Sequence, residues 1–351
     1  MNNVTFSIIV PCYNVEKYIE KCVESLLQQT IGLPSLEIIL IDDASVDQTA
    51  ERIRQYKEAY PDTIKAVFID KNKKQGGARN EGLKIAKGTY ISFVDADDWV
   101  ALNMYELLNE YVKSSSPQII QFSHYDVYAE QMNYISGCVI PGEVQIEDIA
   151  MRKLFLMANV LTCGSQMKVY KRDFLEKTGV LFPENVIYEE PYFVYPQFLY
   201  LDSFVSLKEP LYYCRIHKDS TMQITKQQIE NLLYHPIVQK LLFESLRQRK
   251  DVFLQYYNEI EFYFLLTYYI ETLYFSGNEN KKIAYDFFCE MQQNVKMLCP
   301  RWKDNPYYAM QENQVFYEIL LTSEQKILKD KLNELCESTV DKLKKWEFVN
   351  G

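Results

Sequence analysis

The chain has 351 residues, 48% of them apolar and 25% charged, the balance of a globular protein with room for about two domains. That composition excludes a disordered chain, a collagen and a small disulfide scaffold. Lys and Arg number 38 against 48 Asp and Glu, a formal charge of -10, so a phosphate backbone would be repelled and no nucleic-acid partner is expected.

The opening Met1-Asn2-Asn3-Val4 lacks a basic region followed by an apolar one, so no secretory leader is expected and the location is read as cytoplasmic. Phe6-Ser7-Ile8-Ile9-Val10 reads as a buried strand, and Ile19, Cys22, Val23, Leu26 and Leu27 follow at helical spacing behind Asn14 as a cap. Next come a strand at Glu37 to Ile41, a helix opened by Ser45 with Gln48 three residues on, and a strand at Lys65 to Ile69. A helix through Ala78 to Ala86 and a strand at Tyr90 to Val94 complete a βαβαβαβ run. Near-continuous apolar strands joined by helices predict an α/β fold with a Rossmann-like, mainly parallel sheet covered on both faces.

Beyond Trp99 the pattern predicts a helix near Leu102 to Val112, a strand at Ile119 to Phe122, a polar stretch from Tyr125 to Gly142 and a helix around Ile149 to Ala158. Tyr188 to Tyr200 reads as helix and Phe204 to Arg215 as extended. After Thr225 the chain turns helical and tyrosine-rich to its end, with breaks expected at Gly277 and over Pro300 to Pro306. The expected division is a first domain over 1–225, with a nucleotide-binding half 1–100 and an acceptor half 101–225, and a helical domain over 226–351. The longest apolar run, Phe262 to Ile270, meets Glu271 well short of the ~20 residues that cross a bilayer. Eight cysteines without a C-x-x-C pair, and only three histidines, argue against zinc and for reduced, mostly buried thiols. The 28 tyrosines suit aromatic packing between helices or stacking against sugars, with packing taking most of them.

In open α/β sheets ligands bind outside the carboxyl ends of the strands. Those ends here are Pro11-Cys12-Tyr13-Asn14, Asp42-Asp43-Ala44-Ser45, Asp70-Lys71-Asn72 and Asp95-Ala96-Asp97-Asp98, three of the four acidic. Carboxylates converging on one rim repel unless a cation sits among them, which implies Mn²⁺ or Mg²⁺ entering with substrate phosphates. The dinucleotide fingerprint and the phosphate loop are both absent, while Gly76-Gly77 precedes a helix that continues through Arg79 and Asn80.

Four motifs in order, Ser7 through Asn14, Ile41 through Asp47, Gly77-Ala78-Arg79-Asn80 and Asp95-Ala96-Asp97-Asp98-Trp99, resemble those of family 2 glycosyltransferases with the GT-A fold. The resemblance extends to about Ser220. It implies transfer of a sugar from a nucleoside diphosphate donor, with a divalent cation and inversion at the anomeric carbon. Carried over, Pro11, Tyr13 and Asn14 line the nucleoside pocket, Asp43 bonds the base, and Gly77, Arg79 and Asn80 help hold the nucleotide. Asp95, Ala96 and Asp97 face the ribose and diphosphate, with Asp95 and Asp97 as metal ligands. Leu181 through Phe193 resembles the acceptor-side acidic motif, where Glu189-Glu190 stands for the family's usual Glu-Asp; Glu190 is the expected base and Glu189 the alternative. Leu211 through His217, with Ser220 and Thr221, resembles the segment that folds over the donor phosphates, making Arg215 a donor contact and His217 a metal ligand or phosphate contact.

Bland readings compete at several positions. Asp42 and Asp98 are expected as helix caps, His124 and His235 as structural, and Lys73 and Lys74 as a solvated loop. A C-terminal helix from about Ser323 to Trp346 places Leu328, Leu332, Leu335, Val340 and Leu343 on one side, expected to pack on preceding helices. Its rival is a membrane-surface foot built on Lys342, Lys344, Lys345, Trp346 and Phe348, giving peripheral contact at the inner face of the membrane; Glu334, Glu337 and Asp341 argue against it.

The leading expectation is an enzyme that transfers one hexosyl or N-acetylhexosaminyl group per event from a UDP-sugar to a glycan or lipid-linked saccharide in surface polysaccharide synthesis. The Gln-x-x-Arg-Trp signature of processive membrane synthases is missing. A sugar nucleotidyltransferase is the second class, disfavoured because no glycine-rich loop follows the first strand. A non-catalytic nucleotide-sugar or glycan binding module is the third.

Overall fold

The computed structural model describes residues 4–129, 131–218, 220, 229–278 and 283–350. Two compact units separate, Met1–Lys218 and Asp219–Gly351. The boundary expected between Ser220 and Gln227 falls, Ser220 aside, outside the described residues, as does Thr221.

The first unit carries ten strands: β1 (Phe6–Cys12), β2 (Leu36–Asp42), β3 (Ile64–Phe68), β4 (Tyr90–Phe93), β5 (Trp99–Val100), β6 (Ile119–Tyr128), β7 (Gln131–Ile135), β8 (Gly142–Gln145), β9 (Lys168–Lys171) and β10 (Ser203–Arg215). Its helices are α1 (Ile19–Leu27), α2 (Thr49–Ala59), α3 (Lys74–Ile85), α4 (Met104–Ser114), α5 (Ile149–Met157), α6 (Arg172–Thr178) and α7 (Glu190–Tyr200). The sheet runs β3-β2-β1-β4-β9-β6-β10-β5, with β7 on β6 and β8 on β10. Every residue of β1 and β2 is buried, because strands between two layers have no solvent face. From β3 to β4 the pairing is parallel, and beyond β4 it becomes mixed, β9 lying antiparallel to both β4 and β6.

The chain builds outward from β1 through β2 to β3 and then returns to place β4 on the other side of β1. Loops leaving β1 and β4 therefore diverge, and the crevice between them is where this architecture takes ligands. Phe6, Ile8 and Val10 pack with Ile19, Cys22, Val23 and Leu26 of α1 and with Met104, Tyr105 and Leu108 of α4 in one core that fixes this rim.

Local boundaries differ from expectation where loop chemistry overrides spacing. Asn14 and Ser45 cap no helix: Asn14 N–H donates to Ser45 Oγ at 3.1 Å and Asn14 Oδ1 accepts from Val46 N–H at 2.9 Å, so the loops after β1 and β2 hold each other. The helices start later, at Ile19 and Thr49. α3 starts four residues before Ala78 and takes both glycines into its first turns. Within the polar stretch from Tyr125, β6 continues to Tyr128 and β7 returns antiparallel to it. All five β7 residues are exposed, and the alternation of Met132 and Tyr134 with Gln131 and Asn133 is too short a run to stand out in a polar stretch.

The second unit is helical and packs through rings, as in the Phe243–Phe264 stack and the buried Tyr256, Tyr268, Tyr269 and Tyr308. Gly277 stands one residue before the end of the helix Thr272–Asn278, and an added Cβ there would stand 2.5 Å from the Cys336 carbonyl oxygen of the helix Leu332–Asn350; the next described helix begins at Tyr285. That last helix begins at Leu332 rather than Ser323, leaving Leu328 outside it and exposed. Leu332, Val340 and Leu343 are buried, and Trp346 packs on Phe316. The side chain of Phe348 lies outside the described residues. Among the described residues no helix is long and apolar enough to cross a membrane.

Candidate active site

The floor of the crevice is tied together by Asp43, just beyond β2. Its Oδ1 accepts the Lys73 N–H at 2.8 Å, its own N–H donates to the Cys12 carbonyl at 2.9 Å, and its carbonyl accepts from Asn72 Nδ2 at 3.1 Å. Burial raises its pKa, opposed by the Lys73 N–H. Pro11 is buried at the end of β1, whereas the Tyr13 ring is about half exposed above this floor. Asn14 and Ala44 hold φ of 53° and 61°, left-handed values that orient the two loops. Asp42 is not a cap: it closes β2, buried, with Oδ1 unpartnered among the described residues, and α2 begins seven residues later.

Arg79 gathers the acids of both halves. Its guanidinium is completely buried, with Nη2 donating to Asp95 Oδ1 at 2.7 Å, Nη1 donating to Glu189 Oε1, and Glu190 Oε1 3.8 Å from Nη1. The residue expected at the nucleotide thus presents no exposed surface, and its charge faces three carboxylates. Burial raises the pKa of Asp95, against the pull of Arg79. Gly76 lets this cluster close, since a Cβ there would meet Pro183 O at 2.5 Å and Glu189 Cγ at 3.1 Å. Gly77 is held by its own turn, where a Cβ would meet Lys73 Cβ at 2.4 Å. Asn80 gives both ends of its amide to one residue, Nδ2 donating to Phe182 O at 2.9 Å and Oδ1 accepting Phe182 N–H at 3.0 Å. It pins the segment leading into α7 to α3. Lys73, read as solvated, pairs with Glu81 at 2.7 Å.

Beyond β4 the acidic loop is fastened to β10. Asp98 accepts Tyr212 OH and Arg215 N–H, each at 2.7 Å, and Tyr212 OH also accepts Asp95 N–H at 3.0 Å. Asp98 is therefore no helix cap; β5 follows it, and α4 starts only at Met104. Ala96 is buried between the acids. Asp97 keeps a partly exposed carboxylate whose Oδ2 lies 2.9 Å from His217 Nε2, and its carbonyl accepts Arg215 Nε at 2.7 Å. The His217 ring lies 4.5 Å from that of Tyr18, and its Nδ1 is unpartnered among the described residues. The Arg215 guanidinium rests over Tyr18 and Trp99 at 5.2 and 5.0 Å.

The two glutamates differ sharply. Glu189 precedes α7 with no exposed surface, and burial together with the Glu190 carboxylate pushes its pKa up to about 8 against Arg79. Glu190 opens α7 with its side chain about one-fifth exposed, and burial raises its pKa while Arg79 lowers it. Tyr188 just before them holds φ 63°, a left-handed value at the entry to α7.

Two contributors carried no sequence signal. Tyr18 sets its ring, tilted by 39°, against His217 from an ordinary helix start. Lys168 on β9 is fully buried and donates to Thr162 O, Thr162 Oγ1 and Gly164 O at 2.6, 2.9 and 2.7 Å. Burial lowers its pKa to about 7, with Cys163 and Glu190 acting in the opposite sense.

Among the described residues no group of three or more His, Cys, Asp and Glu forms a metal cage. Asp97 and His217 are two facing donors, a set that fits a hard cation taking the rest of its shell from water and substrate phosphates.

Residues 7–179 match the family model described as glycosyl transferase family 2. The uncharacterized glycosyltransferase EpsJ of Bacillus subtilis is 31% identical over 227 residues, covering 62% of this chain and 63% of EpsJ. A poly(ribitol-phosphate) beta-glucosyltransferase of Bacillus spizizenii is 33% identical over 183 residues, covering 51% of this chain and 27% of its own. The matched region thus spans less than two thirds of either relative. Among solved structures, Staphylococcus aureus TarS 1-349 in complex with UDP-GlcNAc has the same fold, with a TM-score of 0.65 at 17% identity over 97% of this chain and 92% of that one.

Proposed function

We propose, from the premise that the chain belongs to glycosyl transferase family 2, that it moves a sugar from a UDP-sugar to a hydroxyl of a surface-polymer acceptor with inversion at the anomeric carbon. The observation that carries this reading is the Arg79 junction. One guanidinium joins Asp95 at the donor-side strand end to Glu189 and Glu190 at the start of α7, so donor and acceptor chemistry meet at one point.

Tyr13 and Asp43 take the nucleoside, the ring by stacking and the carboxylate by accepting a base N–H. Asp97 and His217 hold Mn²⁺ or Mg²⁺, which when bound neutralises charge growing on the leaving diphosphate. Arg215 adds a cation beside Asp97. Glu190, the accessible acid of its pair, accepts the proton of the attacking hydroxyl. Arg79 and Glu189 are positioning residues that fix Glu190 and Asp95 relative to each other. UDP-GlcNAc in the TarS complex and the polyol phosphate in the relative's name support the choice of UDP donors and of anionic or neutral polymer acceptors for assay.

The test is UDP release from a panel of UDP-sugars, with polymer acceptor, in Mn²⁺ and in EDTA. Turnover in Mn²⁺ that stops in EDTA and in Asp97→Ala supports the reading. Full activity in EDTA overturns the metal, and UDP binding without release under every condition overturns catalysis in favour of a binding module.

A further inference from the structure

Four aromatic residues stand in register across four neighbouring strands. Trp99 of β5 pairs with Tyr213 of β10, Tyr213 with Tyr125 of β6, and Tyr125 with Tyr134 of β7. Directly opposed residues project to the same face, so the rings form one row. Trp99 and Tyr213 stack at 5.3 Å, Tyr213 and Tyr125 at 5.7 Å, and Tyr134 closes the row edge-on at 6.1 Å. The opposite face carries the buried Val100 and Tyr212, which belong to the core.

The inner end of this row adjoins the site. Trp99 lies two residues from Asp97, the Arg215 guanidinium that bonds the Asp97 carbonyl rests 5.0 Å from its ring, and the exposed Lys21 ammonium sits 3.2 Å above it. The outer end is open, with Tyr134 46% and Met132 56% exposed on β7. The rings between are only partly buried. Tyr134 OH is engaged with Ser123 Oγ and Lys208 O, each at 3.0 Å, whereas the Tyr213 and Tyr125 hydroxyls make no hydrogen bond among the described residues. A row that only stiffened the sheet would gain its roughly 0.2–1 kcal/mol per pair without leaving two hydroxyls and its ring edges accessible beside a site for sugar transfer.

We propose that this row is the track along which a hydroxyl-rich acceptor chain lies as its end enters the site, an inference that rests on the transferase reading above. The exposed ring edges form an apolar ledge against which successive units lie, and the Tyr213 and Tyr125 hydroxyls exchange hydrogen bonds with the chain's own. Lys21 and Arg215 form a cationic head on an otherwise acidic protein, so a phosphate-bearing chain is drawn to the inner end and repelled elsewhere. Because the row extends beyond the reacting unit, it favours acceptors of several units over single ones.

Calorimetric titration in the presence of UDP tests this with two probes, chitohexaose as the neutral chain and a hexamer of ribitol phosphate as the charged one. Wild type should bind at least one of them more tightly than its single unit. Tyr125→Phe and Tyr213→Phe keep the stack and the fold, and each should weaken the hexamer by about fivefold. Tyr134→Ala should weaken it further, and Lys21→Ala should weaken the charged chain alone. Tyr128→Ala, exposed on the other face, should change nothing. If neither hexamer binds wild type, or if both phenylalanine variants bind as wild type does, the track is overturned. UDP release is measured separately: turnover with indifferent track variants sinks only the track, and chain binding weakened by the variants in a protein that never releases UDP sinks only the transferase reading.

Discussion

Arg79 is surrounded by three carboxylates and has no exposed surface, so its charge is balanced by these acids and theirs by it. Arg79→Met would leave buried acids uncompensated and should cost roughly 3–5 kcal/mol of stability, measured by urea unfolding. Glu190→Gln keeps the shape and removes the proposed base, so kcat should fall by about 10²- to 10⁴-fold while UDP affinity stays constant in titration. Because Glu190 is held above the ordinary carboxylate range by burial, and must be ionised to act, wild-type kcat/KM should decline as pH falls through a pKa above the usual ~4.3. A pH profile flat to pH 4.5 would contradict that assignment. The acid pair itself was legible as Glu189-Glu190, but which of the two faces water was not. Adjacent residues at a helix start differ by only about 100°, and the left-handed Tyr188 at the entry to α7 is not a residue type that announces positive φ. Asp98 misled for a related reason: an acid before a helix reads as a cap unless the partner 114 positions away, Tyr212, is known.

At the scale of elements, α3 and the segment leading into α7 function as one piece. Gly76→Ala would drive a methyl into the Pro183 carbonyl and should destabilise the protein by about 1–3 kcal/mol, seen as a lower Tm. The same variant should reduce kcat more than UDP affinity, because the displaced segment carries Glu189 and Glu190. Buried parallel strands and the helices between them were plain in the sequence because their apolar periods are strong. The start of α3 was not, since Lys74-Gln75-Gly76-Gly77 carries no apolar stripe, and β7 was obscure because its alternation of Met132 and Tyr134 with polar residues spans only five positions in a polar stretch. The Asp97–His217 pair was half legible: Asp97 stood out at the acidic strand end, but its bond to His217 spans 120 residues and came only through family resemblance.

Across the whole molecule, the GT-A core of the first unit and the helical second unit are each built on their own interior. The second unit's tyrosines packed as their number suggested, while its helix boundaries, lacking capping motifs, were the least legible part of the chain. The Arg79 to Glu189 contact joins residues 110 apart in sequence. A ribosome therefore delivers the guanidinium long before its counter-ions exist, and Arg79 cannot be desolvated until α7 has arrived. Loop closure itself costs little more for so long a span, because its entropy grows only with the logarithm of length, so timing rather than energy is what the separation imposes. The donor floor of β1 to β4 can form while the junction remains hydrated, and locking of the acid cluster is then a late event in assembly. In stopped-flow refolding, Glu189→Gln should leave the early burial of the β1 to β4 core unchanged and alter only the final phase. An altered early phase would mean that the junction nucleates the fold instead of sealing it.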